Sequence, residues 1–365
     1  MAGSSFGKEF QISTWGESHG PGIGVVIDGC PSGLSLCASD IQKYLNRRKP
    51  GQNAYTTARK EADEAEILSG VFEGRTTGNP ISILVRNTDQ RSHDYSQIKE
   101  CYRPGHADYT FDVKYGFRDY RGGGRSSGRE TIGRVAGGAV ASALLKELGI
   151  TVTAYTKAIG PYEIPTEEYD LSVISSSPLF MPHLGYSKKA EAYLKECMEK
   201  KDSAGGIIEC IIEGMPAGIG EPVFQKLDAL LAHAMLSIGS VKGFEIGSGF
   251  SASRSKGSLN NDAFCMDEGK IVKKTNHAGG VLGGMSDGSP VLFRVAIKPT
   301  PSISSMQHTV TSGLEDTQIS IHGRHDPVIV PRAVVVVESM AAVTVADLLL
   351  QNMHSSMDGV RRFYL

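Results

Sequence analysis

The sequence has 365 residues, of which 40% are hydrophobic and 21% are charged, values that exclude a disordered chain or a coiled coil. Its formal net charge of −2 argues against a protein that acts on nucleic acid, since such proteins carry a basic excess. The 43 glycines, about 12% against a usual ~7%, show no Gly-X-Y period and therefore indicate turns and close backbone approaches.

Hydrophobic periodicity predicts helices and strands that do not alternate regularly along the chain. In chain order we predict a strand at 23–28, a helix at 40–48 capped by Ser39, a strand at 81–86, a helix at 130–148, a helix at 188–200, a strand at 207–212, a helix from Pro222 to about Ile238 and a strand at 291–297. This irregular order favours a mixed α+β fold over a doubly wound sheet. Domain boundaries are weakly marked.

Three features bear on the cellular compartment. The N-terminus lacks a basic segment followed by an apolar run, so no secretory signal is expected. The most apolar stretch, 333–350, contains Glu338 and Asp347 and is interpreted as a core element rather than a membrane span. The six cysteines fall at irregular spacings without a C-x-x-C pair, which indicates reduced thiols in the cytoplasm and neither disulfides nor a zinc site.

Basic residues are concentrated in two segments. Residues 43–60 contain six basic residues and no acid, and residues 101–134 contain seven basic residues against four acids. In 121–129 arginines are interleaved with glycine and serine, so planar guanidinium donors and approachable backbone N–H groups occur together. A solvated basic face is the simpler alternative, but the pattern favours a site for one or more small polyanions. It is not a Walker A loop, which needs G-x-x-x-x-G-K-[ST].

Two histidines lie in glycine-containing loops beside these basic residues. His19 lies within 16–24 and His106 within 103–108. A loop histidine is most often structural or simply exposed, but next to an anion site it is a candidate proton donor, because its charge changes near neutral pH. His322 and His325 lack a third ligand nearby, so no metal is expected.

Three segments together resemble the signatures of the chorismate synthase family. They are 16–31 (GESHG continuing to VVIDGCP), 103–108 with 120–131 (RPGHAD and YRGGGRSSGRET) and 323–338 (GRHDP continuing to RAV and VE). Segments 276–284 and 298–302 are also similar to family segments, and the resemblance extends in the expected order from residue 6 to about 350.

The resemblance implies a fold, an activity and a cofactor. The fold would be a β-α-β sandwich, two antiparallel sheets surrounded by helices, in one domain over residues 1–365 that assembles as a homotetramer. The activity would be elimination of phosphate from 5-enolpyruvylshikimate 3-phosphate, giving chorismate at the end of the shikimate pathway, with reduced FMN (FMNH2) as cofactor. Substrate and cofactor are both polyanions, as the basic segments require. No added domain is visible, so an external flavin reductase is expected to supply the reduced cofactor.

Family roles carry over to matching positions of this sequence. His19 would be the acid near the leaving phosphate, His106 would protonate or stabilise the reduced flavin, and Asp326 would relay a proton to the flavin's reactive nitrogen. Substrate contacts would be Arg48, Arg103, Ser127, Arg129 and Arg324. Flavin contacts would be Arg125, Ser126, Ser127, Gly239, Ser240, Gly283, Lys298, Pro299, Thr300, Pro301, Ser302 and Arg324.

The chain departs from the family pattern at three places. Ala54 stands where many relatives have arginine, Gly239-Ser240 where Asn-Ala is common, and Gly128 where alanine is usual. These departures affect individual expected contacts and do not change the expected reaction.

A second hypothesis is a non-catalytic polyanion-binding module for RNA, motivated by the basic segments and aromatic residues such as Tyr102, Tyr109, Phe111 and Tyr115. The net charge and the absence of an RNP-type signature argue against it.

Overall fold

The structure is a computed structural model that describes residues 3–52, 55–56, 61–88, 99–321 and 326–365. Its strands are Ser5–Phe6 (β1), Gln11–Gly16 (β2), Gly22–Asp28 (β3), Ala65–Ile67 (β4), Val71–Phe72 (β5), Arg75–Thr76 (β6), Ile81–Arg86 (β7), Thr151–Ile159 (β8), Tyr162–Glu163 (β9), Gly206–Glu213 (β10), Val241–Ile246 (β11), Phe264–Asp267 (β12), Lys270–Lys273 (β13), Val281–Leu282 (β14), Met285–Ser286 (β15), Val291–Ile297 (β16), Gln307–Val310 (β17) and Asp316–Ile319 (β18). Its helices are Ala38–Arg48 (α1), Asp108–Tyr115 (α2), Thr131–Glu147 (α3), Leu184–Glu199 (α4), Leu227–Leu236 (α5), Gly257–Asn260 (α6), Val330–Asn352 (α7) and Met357–Tyr364 (α8).

Two five-stranded antiparallel sheets organise the described chain. The first has the strand order β1-β2-β3-β7-β4 and the second the order β11-β16-β10-β8-β9. Strand β7 shows how one face is buried, because Ile81, Ile83 and Val85 are buried while the residues between them are partly exposed. Helix α3 packs on β2 and β3, helix α7 packs on β8 and β10, and the two helices pack on each other.

Glycines let helix α3 approach both neighbours closely. A Cβ at Gly133 would lie 2.9 Å from Thr14 Cγ2 on the first sheet. A Cβ at Gly138 would lie 2.2 Å from the Cβ of Ser339 on α7, closer than real side chains come. These glycines therefore set the spacing between the first sheet, α3 and α7, at the cost of weaker helix propensity.

The α+β class is confirmed, as are several predicted elements. Strands β7 and β16 have the predicted ends, and the predicted helices at 40–48, 130–148 and 188–200 correspond to α1, α3 and α4. The predicted cap is wrong: α1 begins at Ala38, and Cys37 is its N-cap residue, because Asp40 bonds back to the Cys37 N–H at 3.1 Å.

The predicted start of the helix at Pro222 is also wrong. Helix α5 begins only at Leu227, because the preceding segment is a turn in which Glu221 N donates to Gln225 O. Val223 lies in this turn at φ +68, in the left-handed region that a β-branched residue rarely adopts.

Helix α7 contains the apolar stretch that was interpreted as a core element. It is long and apolar enough to cross a membrane by length and composition, but 83% of its apolar window is buried inside the protein. Burial of this kind is typical of a core helix, and the interpretation is confirmed.

Candidate active site

A cavity of about 880 Å³ lies among the segments 103–129, 239–240, 298–302 and 326–332. Aromatic side chains of Phe111, Tyr115 and Phe117 form part of its wall. Among the residues that the structure describes, six basic and four acidic ones line it, namely Arg103, Arg118, Arg125, Arg129, Lys298 and Arg332 against Glu17, Asp108, Asp119 and Asp326. The basic excess favours an anionic ligand.

An ion pair fixes the loop that enters helix α2. Arg103 is nearly buried, and its Nε and Nη2 donate to the two carboxylate oxygens of Asp108, both at 2.7 Å. Burial acts to raise the pKa of Asp108, but the hydrogen bonds and charge of Arg103 outweigh it and hold that pKa below its usual range. The guanidinium is thereby held in one orientation at the cavity wall.

His106 joins this loop to the segment 298–302. Its Nδ1 lies 3.0 Å from Pro104 O, and its Nε2 lies 2.7 Å from Ser302 Oγ. A carbonyl only accepts, so Nδ1 carries a proton, and the hydroxyl of Ser302 can accept from Nε2 or donate to it. Lys298 Nζ donates to Gly105 O at 2.8 Å and ties the same two segments together.

The glycine-rich segment forms two short 3₁₀ helices, 124–126 and 128–130. Ser127 caps the second, since its Oγ accepts from Arg129 N at 3.3 Å. The Arg125 guanidinium turns toward strand β2, where it donates to Gly16 O at 3.1 Å and Thr14 Oγ1 at 2.6 Å. Arg125 thus lines the cavity while its donors are bonded to neutral groups of strand β2.

His19 lies directly behind this segment. A Cβ built on Gly122, which lines the cavity, would lie 2.4 Å from His19 Nδ1. The Oγ of Ser18 lies 3.2 Å from the same nitrogen. The imidazole is therefore next to the cavity, although His19 is not one of its lining residues.

Arg129 is held by three side chains at the cavity wall. Its Nε donates to Asn87 Oδ1 at 2.9 Å, and its Nη1 lies 3.0 Å from Glu61 Oε1 and 3.2 Å from Asp63 Oδ1. Its Nη2 is buried and has no hydrogen-bond partner within the described part of the chain, and the same holds for Thr300 Oγ1. Buried polar atoms without partners are rare in folded proteins, so these two are candidate contacts for a polar ligand.

Asp326 is held by Arg332 from the first turn of α7. Arg332 Nη1 lies 2.5 Å from Asp326 Oδ2, and its Nε donates to Arg48 O at 3.0 Å. No sequence pattern assigned a role to Arg332, Asn87, Glu61 or Asp63. The signal for Arg332 was available, because it lies six positions after Asp326 within the same resembling segment.

The structure gathers most of the residues predicted for the site. Lining the cavity are His106, Asp326, Arg103, Ser127, Arg129, Arg125, Ser126, Gly239, Ser240, Lys298, Thr300, Pro301 and Ser302. His19 and Arg48 lie behind its wall, and Pro299 and Gly283 are not among the lining residues. Arg324 and Ala54 lie outside the described residues. Within the described ranges, no group of three His, Cys, Asp or Glu residues could hold a metal ion.

Comparisons with known proteins agree over nearly the whole chain. The family model described as chorismate synthase matches residues 10–350. The chain is 65% identical over 365 residues to a chorismate synthase of Lachnoclostridium phytofermentans, covering 100% of both, and 61% identical over 364 residues to one of Agathobacter rectalis, covering 100% of this chain and 99% of that protein. A solved structure titled "Crystal Structure of Chorismate Synthase" matches with a TM-score of 0.78 and 32% identity, over 98% of this chain and 97% of that one.

Proposed function

The chain belongs to the chorismate synthase family, and from that premise we propose that the cavity is its active site. The observation that carries the proposal is the set of polar residues in the cavity wall. His106, Asp326 and an excess of cations line one cavity, and Arg129 Nη2 is buried in that wall without a partner among the described residues.

The family's reaction removes a proton and a phosphate from 5-enolpyruvylshikimate 3-phosphate and yields chorismate. The protein is accordingly a carbon–oxygen lyase of aromatic amino acid biosynthesis. The comparisons do not support the alternative of a non-catalytic RNA-binding module.

Arginines at the wall are the proposed contacts of the substrate, which carries two carboxylates and a phosphate. Arg103 and Arg129 are each fixed by carboxylates, so they need little reorganisation when an anion binds. Ser127, beside Arg129, adds a hydroxyl. Arg324, which lies outside the described residues, completes the proposed substrate contacts. Arg48, which the resemblance also gave as a contact, is 1% exposed behind the cavity wall and bonds to Asp63, so its proposed role is to support the wall.

Reduced FMN is the proposed cofactor, and residues of the 298–302 and 239–240 segments would hold it. The unpartnered Thr300 Oγ1 suits a polar group of the flavin. Burial and the charge of Lys242 lower the pKa of Lys298, and a phosphate bound beside this lysine would counter both effects. When bound, the reduced flavin supplies transient electron donation that helps the phosphate leave.

Proton handling is assigned to three side chains. His106, with Nδ1 directed at Pro104 O, holds or releases a proton at Nε2, the atom that meets Ser302. Asp326 is oriented by Arg332 and would relay a proton within the cavity. His19 would protonate the leaving phosphate, a role that its position behind Gly122 supports.

The proposed function is tested by phosphate release under anaerobic conditions. Release from 5-enolpyruvylshikimate 3-phosphate should require reduced FMN, and addition of substrate should perturb the flavin absorbance. Equal release with and without the flavin would refute the cofactor assignment.

Replacement of either histidine tests the proton assignments. His106→Ala and His19→Ala should each lower turnover by about 10²–10⁴-fold, the usual contribution of a general acid or base, while circular dichroism and melting temperature stay near those of the wild type. Near-normal turnover in both variants would remove the acid roles.

Supply of the flavin and assembly of the chain are also part of the proposal. We expect the chain to assemble as a homotetramer in the cytoplasm. We also expect a β-α-β sandwich fold, which the packing of α3 and α7 on different sheets supports. An external reductase should supply FMNH2. An anaerobic assay with FMN and NADPH alone should then show no turnover until a flavin reductase is added.

A further inference from the structure

Asp63 is a buried carboxylate that two arginines share. Its Oδ2 accepts from Arg48 Nη2 at 3.0 Å, and its Oδ1 accepts from Arg129 Nη1 at 3.2 Å. Its side chain is 0% exposed, and Gln42 Nε2 donates to its backbone carbonyl at 3.2 Å. Its φ of +48 lies in the left-handed region, which costs free energy and persists where the surroundings fix the residue.

Arg48 anchors this carboxylate from behind the cavity wall. It is 1% exposed, and its Nη1 donates to Gly128 O at 3.1 Å and Thr131 Oγ1 at 3.3 Å. Burial and the charges of Arg332 and Arg129 lower the pKa of Arg48, Asp63 raises it, and the net result is a pKa of about 10. Asp63 is therefore the carboxylate that both arginines share in this buried wall, and Glu61 is a second carboxylate on Arg129 Nη1.

We propose that Asp63 is a positioning residue for Arg129: held by Arg48, its carboxylate fixes the Arg129 guanidinium in the orientation that meets the substrate. The inference rests on the proposed function, in which Arg129 contacts 5-enolpyruvylshikimate 3-phosphate. Loss of the carboxylate would leave the Arg48 and Arg129 charges facing each other and would displace Arg129, and a displacement of ~1 Å can cost about 10²-fold in catalysis.

A double-mutant cycle tests the proposal, because a residue that acts through Arg129 has no effect once Arg129 is gone. Asp63→Asn, Arg129→Gln and the double variant are compared by substrate KM and kcat with saturating reduced FMN. We expect Asp63→Asn to raise KM by about 10–100-fold in the wild-type background and by less than about 3-fold in the Arg129→Gln background. FMN affinity should stay unchanged. If Asp63→Asn does not fold, Asp63→Glu, which keeps the charge and alters the geometry, goes through the same cycle.

Asp347→Asn is the matched control. Asp347 is also a buried aspartate, and it lies fifteen positions beyond Arg332 on α7, about 22 Å along the helix. Asp347→Asn should lower the free energy of unfolding and leave the substrate KM unchanged.

The two proposals fail in different ways. An unchanged KM in Arg129→Gln would overturn the substrate site and this inference together. A raised KM in Arg129→Gln, combined with an equal effect of Asp63 replacement in both backgrounds, would overturn the inference alone. An Asp63 effect no larger than that of Asp347→Asn would also overturn it.

Discussion

Single residues decide how closely side chains can meet at the cavity, and Gly122 is the clearest case. A Cβ there would lie 2.4 Å from Nδ1 and 2.6 Å from Cε1 of His19, and 2.9 Å from Ser18 Oγ. Gly122 does not adopt a left-handed φ, so the requirement for glycine is one of space and not of backbone conformation. The missing side chain is what allows the imidazole to lie against the cavity wall.

Gly122→Ala should therefore displace the His19 ring. We expect kcat to fall by about 10–10²-fold, less than in His19→Ala, because the imidazole remains but is displaced. Steady-state kinetics measure kcat, and thermal melting checks that the variant is folded. Gly257→Ala is the control, since a Cβ at Gly257 meets open space and its φ is ordinary. Unchanged kcat in Gly122→Ala would contradict the assigned contact.

At the scale of elements, the hairpin β12–β13 is joined to the following loop by one carboxylate. Asp262 accepts from Thr275 Oγ1 at 2.6 Å, His277 N at 2.7 Å, Ala278 N at 2.9 Å and Lys273 Nζ at 3.3 Å. Burial acts to raise the pKa of Asp262, but these hydrogen bonds outweigh it and hold the pKa well below its usual range.

The depressed pKa predicts an acid-sensitive contribution to stability. A carboxylate whose folded pKa is lowered stabilises the fold above its unfolded pKa of ~3.9, and this stabilisation is lost as pH falls toward the folded value. Asp262→Asn should cost about 1–3 kcal/mol in the free energy of unfolding at pH 7, and the difference from wild type should shrink below pH ~4. Urea unfolding of both proteins over a pH series measures this difference in the free energy of unfolding. A difference that stays constant down to the most acidic pH would contradict the prediction.

Strands with a clear apolar period could be predicted from the sequence, whereas one whose period is interrupted by a buried lysine could not. Strand β7 alternates buried and partly exposed residues and was found with both ends. Strand β8 was missed, because Lys157 interrupts its apolar pattern. The Lys157 side chain is buried and satisfied by Tyr169 Oη at 2.6 Å, a partner twelve positions away that no local pattern indicates.

At the scale of the whole molecule, the sequence indicated which segments form the site but not how they meet. His106 and Ser302 are 196 positions apart, and Arg129 and Asp63 are 66 apart. The apolar pattern of a strand specifies which of its faces is buried, and not which strand it pairs with. These contacts therefore depend on the order of strands in the two sheets and on the helices packed against them. The resemblance identified residues that carry chemistry, whereas Asp63 and Arg332, which orient them, were found only in the structure.

One contact joins the two ends of the chain. The Oδ1 atom of Asp347, near the C-terminal end of α7, accepts from the backbone N–H groups of Lys8, Glu9 and Phe10 at 2.9, 2.7 and 3.0 Å. These residues connect β1 to β2, so the carboxylate fixes the edge of the first sheet to the helix that packs on the second. Hydrogen bonds to a charged acceptor are among the stronger ones in proteins.

Asp347→Ala should therefore destabilise the whole fold, since it leaves three backbone donors without their acceptor, that of Phe10 fully buried. We expect a loss of about 2–4 kcal/mol in the free energy of unfolding, measured by urea denaturation, with KM unchanged in the protein that remains folded. Asp347→Asn should lose less, because the amide oxygen still accepts. The exposed Asp267→Ala provides the baseline, and an Asp347→Ala variant as stable as this control would show that the contact contributes nothing to joining the sheet and the helix.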